Sequence, residues 1–443
     1  MSDSTADVTL LCAGWVIPVL PQGAVLEQHA VAIARGEIVD VLPRASAAAH
    51  YPNATVVNLP DHVLIPGLIN LHTHAAMTLM RGMADDLPLM TWLQDHIWPV
   101  EGRVTSADFV RDGTLLACAE MLRGGVTCFN DMYFFPEATA QAALQAGMRA
   151  AIGMIAVEFP SAYASDATDY LTKGVALRDS LRDENLLTFC LAPHAPYTVS
   201  DATFERIAVY AAELDAPVHT HLHETQDEIR DSLKVHGIRP ITRLKNLGLL
   251  GPNLIAVHAV HLMPDEIALL AEYGCHVAHC PTSNLKLASG LAPIHALTQA
   301  GVNVGIGTDS AASNNRLDML SELRIAALLG KLGAGNAAAL PARQALEMAT
   351  INAARALGLD KKIGSLEKGK RADITAISLA APELAPVYQP LSHIAYAAGR
   401  EHVSDVWVDG VPRVRNGQLT GLDAADITAR ATFWRNKIAQ SPL

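Results

Sequence analysis

Short apolar segments recur along the middle of the chain, and polar or ionisable residues cluster at the end of each. Eight segments stand far enough apart for a helix to lie between neighbours. They occupy residues 64–74, 125–133, 149–157, 186–196, 216–224, 254–260, 276–284 and 302–310. Intervening segments such as 108–123 and 201–214 have helical character. Near-continuous apolar strands that alternate with helices are typical of buried parallel strands, so the pattern predicts an α/β fold, a (β/α)8 TIM barrel.

The two ends of the chain have a different residue pattern from the middle. Residues 1–60 and 371–420 alternate short β-like stretches with Gly and Pro. Because neither flank has enough strands to bury a sheet alone, we predict one small β-sandwich formed from both chain ends. The predicted boundaries are 1–63 for the first part of the sandwich, 64–368 for the barrel, and 369–443 for the second part with a C-terminal helix.

Composition and charge narrow the range of partners. Half of the 443 residues are hydrophobic and only 18% are charged, which suits a large buried core. The 45 acidic residues outnumber the 33 Lys and Arg residues, and the formal net charge of −12 disfavours nucleic acid and anionic lipid surfaces as partners. No apolar run approaches the roughly 20 residues that span a bilayer.

Two further features bear on the cellular compartment. Residues 1–8 lack the basic residues that begin a secretory signal. The six cysteines are scattered and include no C-x-x-C pair, which fits reduced thiols better than a disulfide framework. We therefore expect a cytoplasmic protein, and a homo-oligomer is compatible with this sequence.

Histidines and carboxylates follow the predicted strands at the end where barrel enzymes build their active sites. His72 and His74 lie two residues apart on the first strand, so they point to the same side and can face one ion. The fifth strand offers three candidates for a further ligand, namely His219, His221 and His223.

Among these candidates we favour His221, since it lies nearest the mouth of the barrel and leaves Glu224 just beyond it. His219 is expected one layer deeper, as a packed or hydrogen-bonded histidine, and His223 is expected to turn into the loop. Asp309, in the segment GIGTDS, has the alternative of capping a helix. Beside three imidazoles, we expect it to supply a hard oxygen ligand for zinc.

The fourth strand argues for one metal ion rather than two. A bridged two-metal barrel would need a carboxylated lysine at its end, but no lysine occurs between Lys173 and Lys234. We therefore predict one divalent ion per chain, zinc, with iron as the alternative. The H-x-E and P-C-x-x-C motifs of the other zinc deaminases are absent, and so is an H-E-x-x-H helix.

Six blocks resemble the amidohydrolase superfamily. They are PGLINLHTH, PHAPYT, HLHET, HCPTSNLKL, GTDSAASNN and GSLEKGKRADI, in this order. The resemblance covers nearly the whole chain and is specific for the branch of mononuclear aminohydrolases and chlorohydrolases, which includes 5'-methylthioadenosine/S-adenosylhomocysteine deaminases. It implies zinc-dependent hydrolytic deamination of an adenine nucleoside, 5'-methylthioadenosine and/or S-adenosylhomocysteine, to the inosine analogue and ammonia.

The resemblance also implies roles for single residues. It implies a set of metal ligands comprising His72, His74, His221 and Asp309. Glu224 would pass a proton to the ring nitrogen of the substrate, Asp309 would take one from water, and His258 would hold and polarise the resulting hydroxide. Glu224 and Asp309 would thereby also contact the substrate.

Two more residues concern substrate binding. The resemblance implies that Glu101, in WPVEGRV, accepts hydrogen bonds from ribose hydroxyls, and that His194 contacts the substrate. Taken by itself, Glu101 would be interpreted as an ordinary solvated glutamate. Four apolar residues are candidates for the pocket wall, although such residues are more often core. They are Met77, Met80, Trp92 and Trp98.

One departure from the relatives bears on the substrate. Some relatives that use adenosylhomocysteine place arginines after the third strand, but no arginine occurs here between Arg149 and Arg178. Methylthioadenosine, with its apolar tail, is therefore the better expectation. The alternatives are an s-triazine or other heteroaromatic amino- or chlorohydrolase, and a metal-free scaffold protein on the same fold. Glu101 argues against the first, and the intact ligand set argues against the second.

Overall fold

The structure is a computed structural model that describes residues 8–440. The prediction about a missing secretory signal concerns residues 1–8 and, apart from Val8, lies outside the described part. The strands of this part are β1 (Thr9–Val16), β2 (Leu26–Glu27), β3 (His29–Ala34), β4 (Glu37–Pro43), β5 (Thr55–Pro66), β6 (Leu68–Thr73), β7 (Val126–Asp131), β8 (Arg149–Ala156), β9 (Leu187–Pro193), β10 (Val218–Leu222), β11 (Leu254–His258), β12 (His276–His279), β13 (Asn303–Ile306), β14 (Ile374–Ser378), β15 (Val403–Val408), β16 (Val411–Arg415) and β17 (Gln418–Leu419).

Helices connect and cover these strands. They are α1 (Arg44–His50), α2 (Leu89–Thr91), α3 (Trp98–Val104), α4 (Ala107–Arg123), α5 (Pro136–Ala146), α6 (Ala167–Leu181), α7 (Asp201–Leu214), α8 (Gln226–His236), α9 (Pro240–Asn246), α10 (Pro264–Glu272), α11 (Pro281–Lys286), α12 (Ile294–Gln299), α13 (Ala311–Asn314), α14 (Met319–Ala334), α15 (Ala342–Met348), α16 (Ile351–Ala356), α17 (Pro390–Tyr396) and α18 (Ala424–Gln440). A π-helical stretch, Trp92–Ile97, joins α2 to α3.

Strands β6 to β13 form one parallel sheet in which each strand pairs with its neighbours in sequence order. The sheet curls until its two edges meet, where the Asp309 amide donates to the His72 carbonyl at 2.9 Å. The predicted (β/α)8 barrel is thereby confirmed. Its loops at the carboxyl ends of the strands share one face of the molecule.

Closure of the barrel depends on a glycine just beyond β13. A Cβ atom on Gly307 would lie 2.6 Å from the His72 amide nitrogen and 2.9 Å from the His72 carbonyl oxygen. No other residue type permits so close an approach of two backbones. The first and last barrel strands therefore meet beside His72.

Two predicted strands have different bounds. The segment 64–74 contains the end of β5 and all of β6, because the chain turns at Gly67 from the terminal sheet into the barrel. The segment 276–284 is strand only to His279, and helix α11 begins at Pro281. Proline lacks an amide hydrogen, and its φ suits the first turn of a helix, so the strand ends before it.

The two chain ends meet in a second sheet, as predicted. Its order is β17-β16-β15-β14-β5-β1-β3-β4, and β2 pairs with β1. Strand β5 is central, since it pairs in parallel with β1 and antiparallel with β14. Between the barrel and this sheet, the Arg149 guanidinium bonds both carboxylate oxygens of Asp373, at 2.9 and 3.1 Å.

Two further expectations concern the whole described chain. All six cysteines are buried and free, and burial raises the pKa of Cys275 to about 11. Among residues 8–440, no helix is both long and apolar enough to cross a membrane.

Candidate active site

Four histidines and an aspartate gather at the carboxyl ends of the barrel strands. His72 and His74 end β6, His221 and His258 lie at the ends of β10 and β11, and Asp309 follows β13. The Nε2 atoms of His72 and His74 each lie 3.4 Å from Asp309 Oδ1. A second group of side chains, His72, His221 and His258, brings its ligand atoms within 4.8 Å of one another.

The other ring nitrogens of the three predicted histidine ligands are already occupied. His72 Nδ1 bonds His219 Nε2 at 2.9 Å, His221 Nδ1 bonds the His194 carbonyl at 2.6 Å, and His74 Nδ1 bonds the Met132 carbonyl. Each ring therefore turns Nε2 towards the centre. Metal-binding histidines show this arrangement, in which the second nitrogen fixes the ring.

The cluster has the chemistry of a zinc site. Buried His72 Nε2 has no hydrogen-bond partner among residues 8–440. Burial lowers the pKa of His72 to about 4, and burial with neighbouring imidazoles lowers the pKa of His221 well below its usual value. Both imidazoles are thus neutral, with lone pairs free for a metal ion. Three imidazoles and one carboxylate fit one zinc ion.

Asp309 is held by hydroxyl groups. Ser283 and Ser313 donate to its Oδ2 at 2.6 and 2.9 Å, and the Ser310 amide donates to Oδ1 at 2.7 Å. Its backbone is left-handed, with φ of 60°, a conformation that is uncommon for a residue other than glycine and recurs at functional sites. Two hydroxyl groups therefore anchor Oδ2, while Oδ1, which accepts from the Ser310 amide, faces His72 and His74.

Glu224 and His258 face each other beside this cluster, with 3.7 Å between Glu224 Oε2 and His258 Nε2. The backbone amides of His223 and Glu224 donate to the Glu228 carboxylate at 2.9 and 2.8 Å, which fixes the loop. His258 Nδ1 bonds Asn284 Oδ1 at 2.8 Å, which makes Nδ1 the donor and leaves Nε2 as an acceptor. Burial raises the pKa of Glu224, which suits a proton carrier.

A cavity of about 620 Å³ extends from this cluster to Glu101. Glu101 lies on α3, is partly buried, and accepts a hydrogen bond of 2.6 Å from the Tyr133 hydroxyl. Burial raises the pKa of Glu101 to about 6. Glu101 is therefore not the solvated glutamate that its sequence context alone would suggest.

His194 lies in the cavity wall, and its ring centroid is 4.9 Å from that of His221. Its Nδ1 bonds the Thr198 hydroxyl at 3.1 Å. The other ring nitrogen thereby remains free for a ligand.

The structure brings all eight predicted site residues together. Seven line the cavity, and His72 lies directly behind it. His219 lies deeper and bonds His72, while His223 leaves the strand and accepts from the Ile241 amide at 3.1 Å. Among the predicted wall residues, Met77, Trp92 and Trp98 line the cavity, whereas Met80 packs in the adjoining core.

Sequence reasoning missed the residues that hold the site in place. They are Tyr133, Glu228, Ser283, Asn284 and Ser313. Tyr133 follows directly on the end of β7, and the position of a polar residue at a strand end was a signal that could have found it. Ser283 and Asn284 had no such signal, because they come from α11, which follows a strand other than those of Asp309 and His258.

A (β/α)8 barrel with this donor set at its mouth defines the class of metal-dependent barrel hydrolases. Residues 63–413 match the amidohydrolase family, and the chain belongs to that family. The chain is 50% identical to a protein from Teredinibacter turnerae named 5-methylthioadenosine/S-adenosylhomocysteine deaminase, over 99% of both chains.

Solved structures agree with this assignment. An adenosine deaminase from Xanthomonas campestris with bound zinc has a TM-score of 0.97 and 51% identity, over 98% of this chain and 99% of its own. An atrazine chlorohydrolase from Arthrobacter aurescens, complexed with zinc, has a TM-score of 0.89 and 26% identity, over 96% and 100%. The predicted family, fold and zinc chemistry are therefore confirmed.

Proposed function

We propose that the chain is a zinc-dependent hydrolytic deaminase of adenine nucleosides and that 5'-methylthioadenosine is its preferred substrate. The observation that carries the proposal is the position of Glu101 in the same cavity as the His and Asp cluster. A carboxylate at one end suits two ribose hydroxyls, and the cluster at the other end suits a hydrolytic reaction. The names of the deaminase relatives support the same reaction.

Four residues would hold the zinc ion, namely His72, His74, His221 and Asp309. When bound, zinc acidifies water, so that a strong nucleophile is available near neutral pH. The fit rests on the unpartnered His72 Nε2 and on the convergence of the donors. Ser283 and Ser313 hold Oδ2 of Asp309, and the Ser310 amide orients Oδ1, which would accept a proton from the attacking water.

Proton transfer would involve Glu224 and His258. Glu224, whose pKa is raised by burial, would donate a proton to the ring nitrogen beside the carbon that is attacked. His258 would hold the nucleophile by accepting at Nε2, because Asn284 occupies its other nitrogen. The water oxygen bonds to that carbon, and the bond to the amino group then breaks while the proton that Asp309 accepted passes to the departing nitrogen. The remaining hydroxyl proton returns to Glu224 as the carbonyl forms, and ammonia and the inosine analogue are released.

The cavity wall supports the choice of substrate. Around Glu101 it is formed largely by apolar side chains, among them Trp92, Leu93, Ile97 and Phe134, and the described residues that line it include no Lys or Arg. A methylthio group can be buried against such a wall. The charged amino-acid tail of adenosylhomocysteine would lose water there without gaining an ionic partner.

The competing function is hydrolysis of an s-triazine, which the likeness to the atrazine chlorohydrolase favours. Such a flat ring would use the metal-binding end of the cavity but would bring no hydroxyl group to the partly buried Glu101 carboxylate, of which Oε1 alone accepts from Tyr133. A carboxylate in an apolar wall is unfavourable unless a ligand or neighbour bonds it. The nucleoside therefore accounts for more of the cavity than the triazine does.

A substrate panel tests the proposal. The purified zinc-loaded protein is assayed with 5'-methylthioadenosine, adenosine, S-adenosylhomocysteine, 2'-deoxyadenosine and atrazine, and loss of adenine absorbance and release of ammonia or chloride are measured. We expect kcat/KM to be highest for 5'-methylthioadenosine. Turnover of atrazine without turnover of any nucleoside would contradict the proposal, and a higher kcat/KM for S-adenosylhomocysteine would contradict the choice of substrate.

A further inference from the structure

Two adjacent residues after β7 contact two separate groups that line the cavity. The Met132 carbonyl accepts a hydrogen bond from His74 Nδ1, and the Tyr133 hydroxyl donates to Glu101 Oε1 at 2.6 Å. His74 belongs to the cluster at the strand ends, whereas Glu101 comes from α3, a separate element of the loop region. This short segment is therefore a direct structural link between the two groups.

The Tyr133 side chain is fixed in the cavity wall. It is 4% exposed, its ring packs against Phe134 with 5.5 Å between centroids, and the ring of His74 lies 6.5 Å away. Its hydroxyl donates to Oε1 of Glu101. Hydrogen bonds to a carboxylate are stronger than those between neutral groups, so this one restricts the rotation of Glu101.

A glutamate on a short surface helix would otherwise occupy several rotamers. Its neighbours on the same helix, Gly102 and Arg103, are exposed. Binding two ribose hydroxyls requires one orientation, and the cost of ordering a flexible side chain reduces the affinity. A partner that orders the side chain before the ligand arrives removes this cost.

We propose that Tyr133 is a positioning residue for sugar recognition, which holds Oε1 of Glu101 so that Oε2 faces the ribose hydroxyls. The inference rests on the proposed function, because it assigns Tyr133 a task only if Glu101 binds the sugar. Tyr133 has no contact with the reacting atoms in this arrangement. Its effect therefore falls on substrate affinity and sugar discrimination rather than on the chemical step.

The test is the Tyr133→Phe variant, which keeps the ring and removes the hydroxyl. We expect KM for 5'-methylthioadenosine to rise about 5- to 20-fold, less than the effect of losing a direct hydrogen bond to a charged group because the Glu101 carboxylate remains, with kcat changed by less than about twofold. The preference for adenosine over 2'-deoxyadenosine should fall as well. Bound zinc should remain unchanged, since the Met132 carbonyl that orients His74 is retained.

Tyr163→Phe is the matched control. Tyr163 is a buried tyrosine that packs against Phe135 and does not line the cavity. Its substitution should leave KM and sugar discrimination as in the wild type. If both tyrosine variants raised KM equally and both lowered Tm, the effect would be general loss of packing, and the inference would be wrong.

A double-variant cycle separates positioning from structural support. In a Glu101→Ala background, Tyr133→Phe should have no further effect on KM, because the carboxylate that it positions is gone. A further rise in KM of the same size in that background would overturn the inference. So would wild-type KM and discrimination in the single variant.

The same measurements distinguish the inference from the proposed function. If the wild type does not deaminate adenine nucleosides, the proposed function fails before Tyr133 is tested. If the wild type does so and Glu101→Ala impairs sugar selection while Tyr133→Phe does not, only the role of Tyr133 fails.

Discussion

Two glutamates face one cavity from different surroundings. Glu224 lies beside His258 at the end where the metal ligands converge, and its loop is fixed by Glu228. Glu101 lies at the other end among aromatic and aliphatic side chains, and Tyr133 is its partner. In the proposed function, the chemical step and the recognition of the sugar therefore depend on different residues, and substitutions should separate them.

Glu224→Gln should abolish turnover while zinc content and substrate affinity stay close to those of the wild type. The amide has the shape of the carboxylate, but it cannot carry a proton to the ring nitrogen. Metal analysis, equilibrium binding of 5'-methylthioadenosine and kcat together provide the check. Near-normal kcat would move the proton-transfer role to another residue.

Glu101→Ala should reduce kcat/KM for 5'-methylthioadenosine by roughly one to two orders of magnitude, since hydrogen bonds to a charged group contribute about 1.5 to 3 kcal/mol. The preference of the wild type for adenosine over 2'-deoxyadenosine should nearly vanish in the variant. Glu213→Ala, at an exposed position of α7, is the control and should behave as the wild type. Unchanged sugar preference in Glu101→Ala would support the triazine alternative.

At the scale of elements, the site depends on how closely β6 and β13 approach. The Asp309 amide bonds the His72 carbonyl, so the two strands at the barrel seam bring two predicted ligands together. Gly307 allows this contact because it has no side chain.

Gly307→Ala should separate these strands and weaken both the fold and the metal site. Its Cβ would lie 2.6 Å from the His72 amide nitrogen, and overpacking of this kind costs about 1 to 3 kcal/mol. Urea unfolding and zinc titration measure the two effects. Gly333→Ala in α14 is the control, because its Cβ would meet nothing within 4 Å and alanine favours a helix. Equal stability of the two variants would show that the seam tolerates a side chain.

At the scale of the whole molecule, the barrel and the terminal sheet are joined by buried charge. The side chains of Arg149 and Asp373 are only 4% and 2% exposed, and Asp409 also contacts Arg149 at 3.3 Å. Removal of one partner leaves the other charge buried and poorly compensated. This lowers the free energy of unfolding by more than the intact pair contributes to it.

Asp373→Asn should therefore lower the free energy of unfolding by about 3 to 5 kcal/mol, as for other broken buried ion pairs. Asp227→Asn is the control, since Asp227 pairs with Arg230 on the surface, where such pairs contribute about 0 to 1 kcal/mol. Urea denaturation followed by circular dichroism gives both values. If Asp373→Asn lowered the free energy of unfolding no more than the surface variant does, Asp409 alone would be shown to neutralise Arg149.

Metal content is also a property of the whole molecule. We expect one zinc ion per chain, loss of activity after chelation, and a lower Tm that recovers when zinc is restored, because a ligand that binds only the folded state stabilises it. Elemental analysis, activity assays and thermal unfolding test this. Two ions per chain in the active protein, or full activity without metal, would contradict the single-ion site.

The sequence predicted the parts of the site that depend on near neighbours. His72 and His74 share a face because side chains alternate along a strand, and this holds wherever the strand lies. The same rule left His219 and His221 equivalent, since both face the same way. The expected position of the strand end favoured His221, whereas the bond from His219 to His72 is a tertiary contact that only the structure shows.

The remaining contacts join residues that are distant in the sequence. The order of strands and helices, the barrel and the site at its mouth followed from the sequence, because the hydrophobic period and the strand-end positions are local signals. The bond of Tyr133 to Glu101, the bond of Ser283 to Asp309, and the pairing of β5 with β14 carry no local signal. The first two exist because barrel closure brings loops from different strands to one face, and the third exists because the two chain ends meet in the terminal sheet. Both arrangements are decided by the tertiary structure.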